Sequence, residues 1–222
     1  MDQRCDDKQN QMTDQSAFSR RDMLLAGSGM VAASILPSFA QAKANQDIDH
    51  ILAPRYLGDE NAPVQVAEYF SMTCGHCAAF HQNTFDKVKT NLIDTGKVRF
   101  EMRPFPLDAI ALRAHALARI LPVNLYYPMI SQLLKKPQDW KKASDPIASL
   151  GVYAKQAGVS SAEFDEMLRN RALLEAVVSF RQSGARKYGV QSTPSFVIND
   201  DKLLSGNMSY EEMLNQLNPF GI

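Results

Sequence analysis

Cysteine is scarce in this sequence. There are three in 222 residues, at positions 5, 74 and 77. Cys74 and Cys77 enclose a loop of only four residues, and closing so short a loop stabilises a fold by about 2 kcal/mol in the chain-entropy model. Structural staples normally close long loops, so this pair suits chemistry better than reinforcement. Net charge is absent too, with 24 basic residues against 24 acidic. No basic tract points to nucleic acid. Past the N-terminal region no run is long and apolar enough to span a membrane. Internal repeats and low-complexity segments are missing as well. What remains is 45% hydrophobic and 22% charged, the balance of a globular protein with room for a full core.

The N-terminus differs from the rest. Ser19-Arg20-Arg21-Asp22-Met23-Leu24-Leu25 leads into a moderately apolar stretch rich in Gly, Ala and Ser, and Ala40-Gln41-Ala42 supplies a small-x-small cleavage pattern. The paired arginines and weak hydrophobicity resemble a twin-arginine export signal over residues 1–42. A Sec signal whose charged end contains two arginines, or an uncleaved signal serving as an anchor, are the alternatives. Each reading exports the chain, which implies the periplasm. Cleavage would remove Cys5 with four basic and five acidic residues, leaving 20 basic and 19 acidic. Two cysteines then remain, in an oxidising compartment.

Cys74-Gly75-His76-Cys77 follows an apolar run and opens a segment in which Cys77, Phe80, His81, Phe85 and Val88 recur at helical spacing. The pattern predicts a buried strand over 64–71, a turn, and a helix from 74 toward 92. Residues three apart share a helix face, so both sulfurs meet at the first turn. Unpaired N–H groups and the positive end of the helix dipole favour a thiolate there. Zinc would need further ligands, and His81 is the only other local candidate. A c-type haem would need His directly after the second Cys, where Ala78 stands. Neither a metal nor a cofactor is expected beyond the disulfide itself.

Ahead of the strand, residues 43–62 read as a short polar lead-in. A second strand is predicted over 98–102, completing a β-α-β unit with parallel pairing. No strand pattern appears from 108 to 188. Asp108 can cap a helix that Pro122 ends, 125–134 forms another, and Pro137 and Trp140 fall in a connection. Pro146 opens a helix, Ser160-Ser161-Ala162-Glu163 is a capping box for the next, and 171–188 is a long one stopped by Gly189. Thr193-Pro194 precedes a strand over 195–198, a turn at Asn199-Asp200, a strand over 202–205, and a last helix capped by Ser209 and Glu212.

Glu68-Tyr69-Phe70-Ser71 before the Cys-x-x-Cys, a helical insertion, and then Thr193-Pro194-Ser195-Phe196 resemble the DsbA-type thiol:disulfide oxidoreductases. The resemblance implies an α/β thioredoxin fold, 63–107 and 189–222, interrupted by an all-helical domain, 108–188. Two departures stand out: Gln191-Ser192 where Gly often precedes the Thr-Pro, and Asn199-Asp200 where Asn-Gly is common.

By this resemblance Cys74 is the nucleophile and Cys77 its partner, and His76, between them, helps ionise Cys74. Pro194 is expected to be cis, leaving the backbone of Thr193 to pair with a substrate strand. Glu68 matches a buried acid beneath the active site that could relay a proton. Met72 either lines a groove for unfolded substrate or belongs to the core. His50, His81, His115 and Trp140 read as structural.

The activity implied is a dithiol oxidase that passes its disulfide to newly exported, reduced proteins and is reset by a membrane redox partner. It is expected to act as a monomer without nucleic acid. A disulfide isomerase or reductase on the same fold is the near rival, although the lead-in is too short for an added association domain. A chaperone-like groove or a metal-holding binder is the non-enzymatic alternative.

Overall fold

The computed structural model describes residues 47–222. The expected signal over residues 1–42, its expected cleavage site and Cys5 lie outside them. Five strands form one sheet: β1 (Tyr56–Leu57), β2 (Val64–Phe70), β3 (Val98–Pro104), β4 (Ser195–Ile198) and β5 (Lys202–Ser205), in the order β1-β3-β2-β4-β5. β2 and β3 run parallel, and every other pairing is antiparallel. β3 extends two residues past its predicted end, to Pro104, which pairs with Phe70 at the sheet's end.

Alternation along β2 sends its side chains to two cores. Val64, Val66 and Phe70 face the main core, and Ala67 and Tyr69 face a smaller one with Phe105, Val190 and Val197. The segment after β2 is not one continuous helix. α2 (Gly75–Asn83) ends at Thr84, α3 (Phe85–Val88) resumes, and a π turn (Lys89–Ile93) follows. Thr84 has φ −121° and gives its hydroxyl hydrogen to the Met208 carbonyl, a long-range contact that local periodicity does not encode.

The insertion is all helical as expected: α4 (Ala109–Ile120), α5 (Val123–Lys135), α6 (Pro137–Lys141), α7 (Pro146–Gln156), α8 (Ser161–Arg169) and α9 (Arg171–Tyr188). Both capping boxes form, at Ser160–Glu163 and at Ser209–Glu212, the latter starting α10 (Tyr210–Leu217). Gly189 ends α9 in the left-handed conformation at φ 73°, which glycine adopts without steric cost. Trp140 corrects one expectation. It lies in helix α6 rather than in a connection, fully buried with its indole N–H on the Leu133 carbonyl at 2.9 Å. One contiguous apolar core runs from Phe70 and Phe80 under α2 to Leu117, Trp140 and Leu150 in the insertion.

The lead-in also departs from its reading. Its described part forms helix α1 (Ile48–Leu52) and then edge strand β1, with Ile51 buried. The cause is a pair of buried arginines. Arg119 of α4 donates to the carbonyls of Ile51 and Ala53, and Arg55 donates to those of Ala118 and Arg119. Both guanidinium groups lie over the Tyr126 ring, at 4.7 and 5.1 Å from its centroid. Carbonyls at the end of a short helix have no intrahelical donor, and these side chains supply one.

Candidate functional site

Cys74 is the N-cap of α2 rather than its first helical residue, with extended backbone (φ −72°, ψ 123°). As a thiol it makes no capping hydrogen bond, and the first-turn N–H groups act on it by favouring its anion. Cys74 is partly exposed and Cys77, one turn inward, is fully buried; both are free thiols. The Cys74 thiol is lowered to about 5, first by a hydrogen bond from the Cys77 thiol, then by the Thr193 hydroxyl and the amides of Cys77 and His76. Partial burial opposes these and is outweighed. Cys77 moves the other way: burial pushes its thiol far up, and its bond to Cys74 and the Glu68 carboxyl act in the same direction. Two sulfurs three residues apart are thus strongly polarised, one an anion at neutral pH and the other a proton donor.

His76 has an exposed side chain, and its contribution to Cys74 comes from the backbone N–H. Thr193 approaches from the far end of the chain across a cis Thr193-Pro194 bond. In the thiol form Cys74 donates to the Thr193 carbonyl at 3.3 Å. Glu68 lies on the face of β2 that carries Val66 and Phe70, is fully buried, and neither carboxylate oxygen has a protein partner. Burial holds its carboxyl well above the usual range, with the Cys74 charge adding to the effect. The structure thus brings Thr193 and the buried Glu68 to the two cysteines, whereas His76 reaches Cys74 only through its backbone N–H.

Met72 is core, not groove, with no exposed surface. His81 is buried and stacked on Phe85 at 4.8 Å, and His50 shares the Leu121 carbonyl and Arg55. No set of three or more His, Cys, Asp or Glu among the described residues is arranged to hold a metal ion. Beside the dithiol runs an open groove of about 580 Å³, between Gly75 and Gln82 of α2 and the lysines 135, 136 and 141 of the insertion.

Three contacts here escaped the sequence reading. The Met72 N–H donates to His115 Nε2 at 3.4 Å, the Thr73 hydroxyl donates to Asp108 Oδ2 at 2.6 Å, and Lys141 Nζ donates to the Thr73 carbonyl at 2.9 Å. Asp108 was legible only as a helix cap, and Lys141 carries no local signal at all.

A sheet of this order with a polarised Cys-x-x-Cys capping the helix after its central strand, and helices inserted before the last hairpin, defines a thioredoxin fold with a helical insertion. Residues 52–219 match the family described as Thioredoxin, and the chain belongs to that family. A Rickettsia typhi relative named as a protein-disulfide oxidoreductase is 30% identical over 144 residues, 64% of this chain and 53% of its own length. This chain thus spans little more than half of that relative. Disulfide bond formation protein D of Bacillus subtilis is 24% identical over 161 residues, covering 71% of this chain and 72% of that one. Among solved structures, alpha-DsbA1 of Wolbachia pipientis superposes with a TM-score of 0.68 at 27% identity, covering 75% of this chain and 90% of the other.

Proposed function

We propose that this protein is a thiol:disulfide oxidoreductase that donates a Cys74–Cys77 disulfide to reduced proteins exported to the periplasm. The observation that carries the reading is the opposed polarisation of the two sulfurs, Cys74 lowered to about 5 and Cys77 raised. The names of the Rickettsia and Bacillus relatives agree with it. In the oxidised protein a substrate thiolate attacks Cys74 Sγ, the S–S bond breaks, and Cys77 leaves as a thiolate. The buried Glu68 carboxyl, whose proton burial retains well above the usual carboxylate range, returns a proton to Cys77. The substrate's second thiolate then attacks its own sulfur in the mixed disulfide and releases Cys74 as a thiolate, completing a two-electron transfer. No cofactor enters these steps. A membrane redox partner that reoxidises the dithiol closes the cycle.

The direction follows from the leaving group. A Cys74 thiolate two units below neutrality stabilises the reduced protein at pH 7 by roughly 2–3 kcal/mol, on the order of 50 mV toward a stronger oxidant. The test is to mix the oxidised protein with a reduced two-cysteine peptide and follow one disulfide gained per disulfide lost. A Cys74→Ser form that still oxidised the peptide would sink the proposal. A reduction potential close to about −270 mV, like that of thioredoxin, would favour a reductase instead.

A further inference from the structure

The reactive cysteine sits on a loop that closes on itself through the Cys74 N–H to the Ser71 carbonyl at 3.1 Å and a Ser71–Thr73 hydroxyl contact at 3.3 Å, and the helical insertion fastens its last residues further. Thr73 is gripped at its hydroxyl and at its carbonyl. Its hydroxyl donates to Asp108 Oδ2 at 2.6 Å, while Oδ1 of the same carboxylate accepts from the Ala111 N–H and so anchors the start of α4. Its carbonyl accepts from Lys141 Nζ of α6 at 2.9 Å. One residue earlier, the Met72 N–H donates to His115 Nε2 of α4. That imidazole is fully buried and held neutral, which keeps its ring nitrogen an acceptor. The Thr73 carbonyl belongs to the peptide that joins Thr73 to Cys74. Its orientation therefore sets where the Cys74 side chain sits relative to the amides of His76 and Cys77.

We propose that Lys141 and Asp108 are positioning residues of the redox site: acting through Thr73, they hold Cys74 against the amides at the start of α2. Neither touches the reacting sulfurs. The inference rests on the dithiol being the site of exchange, as proposed above. It gives the insertion a part in the chemistry, since α4 and α6 together fix the backbone that presents the nucleophile. An ammonium on a peptide carbonyl is a charge-assisted bond, stronger than its neutral counterpart, and it adds positive charge one peptide from the nucleophile. Losing it lets the loop relax and weakens the amide contacts that favour the thiolate.

The test compares Lys141→Met, Lys141→Arg and Thr73→Val with the wild-type chain. The readouts are the pH profile of Cys74 alkylation by iodoacetamide, kcat/KM for oxidation of a reduced two-cysteine peptide, and thermal unfolding. Lys141→Met is expected to raise the alkylation midpoint by about half a pH unit and to lower kcat/KM roughly three-fold, with Tm little changed. Lys141→Arg, which keeps donor and charge, should recover most of both. Thr73→Val, nearly isosteric and without the hydroxyl that Asp108 accepts, should shift the midpoint in the same direction. An active protein whose Lys141→Met and Thr73→Val forms keep the wild-type midpoint and rate would overturn the proposal. A wild-type chain that oxidises no peptide, yet whose alkylation midpoint moves in these variants, would remove the functional reading and support the clamp.

Discussion

The thiol of Cys74 donates to the carbonyl oxygen of Thr193, 3.3 Å away and 119 residues further along the chain. When Cys74 ionises, that donation ends, and the buried Thr193 hydroxyl, which has no hydrogen-bond partner beside the thiol, favours the anion. One residue thus serves both protonation states.

The reduced protein should be alkylated at Cys74 with a midpoint near pH 5, far below the ordinary thiol value of 9.0. Stability follows with a definite sign. Between those two pH values the unfolded chain carries a proton on Cys74 that the folded chain has lost, so the reduced fold gains stability as pH rises. The gain is fully present above pH 9 and is lost as pH falls through 5. Because Glu68 contributes a slope of the other sign over the same range, the Cys74 part is read as the wild-type minus Cys74→Ser difference in denaturant stability of the reduced protein, which should be larger at pH 7.5 than at pH 4.5.

Glu68 gives the opposite slope. Its folded carboxyl holds a proton that the unfolded chain releases above the ordinary value of 4.5, so this group costs stability as pH climbs past that point. Glu68→Gln should unfold at a higher temperature than the wild type at pH 7, with the gain shrinking toward pH 4. If the carboxyl relays the Cys77 proton, the same variant should slow exchange by about ten-fold or more. Calorimetry at two pH values and stopped-flow oxidation of a peptide check the two halves separately.

A packing test lies on the other face of the sheet. A Cβ at Gly184 of α9 would stand 2.5 Å from Cε1 of Tyr69, a ring that packs edge-on against Phe105 and tilted against Tyr188. Alanine there gains about 1 kcal/mol in helix propensity, but overpacking typically costs 1–3 kcal/mol. Gly184→Ala should therefore lower Tm by a few degrees and leave the alkylation midpoint of Cys74 unmoved.

Arg119 fastens the N-terminal segment. Arg119→Met removes the donors that serve the Ile51 and Ala53 carbonyls, and each buried acceptor left without a partner costs about 1–3 kcal/mol. Hydrogen exchange should show protection lost across 47–57 while the β2–β3 pairing keeps its own.

Local signals were enough for much of this molecule. Period-2 and helical patterns, the Asp108, Ser160 and Ser209 caps, and the stop at Gly189 depend on neighbours within a few residues, and they place strands and helices close to where they stand. The insertion and the redox loop were legible for that reason. Thr84, Trp140 and residues 47–57 were misread because their conformations are settled by partners far along the chain: the Met208 carbonyl, the Leu133 carbonyl, and Arg119.

The site divides along the same line. Sequence alone determined that two cysteines one helical turn apart follow a buried strand, because spacing of three and the turn before it are local properties. The place of Cys74 at the helix start also pointed to it as the anion, and tertiary structure supplied the causes that polarise the pair. Burial dominates at Cys77 and is outweighed by hydrogen bonds at Cys74, Thr193 arrives from the turn before β4, Glu68 turns inward beneath both, and Asp108 and Lys141 grip the loop from the insertion. Desolvation and hydrogen bonding act through space at a few ångströms, and no spacing along the chain records which distant residues come that close.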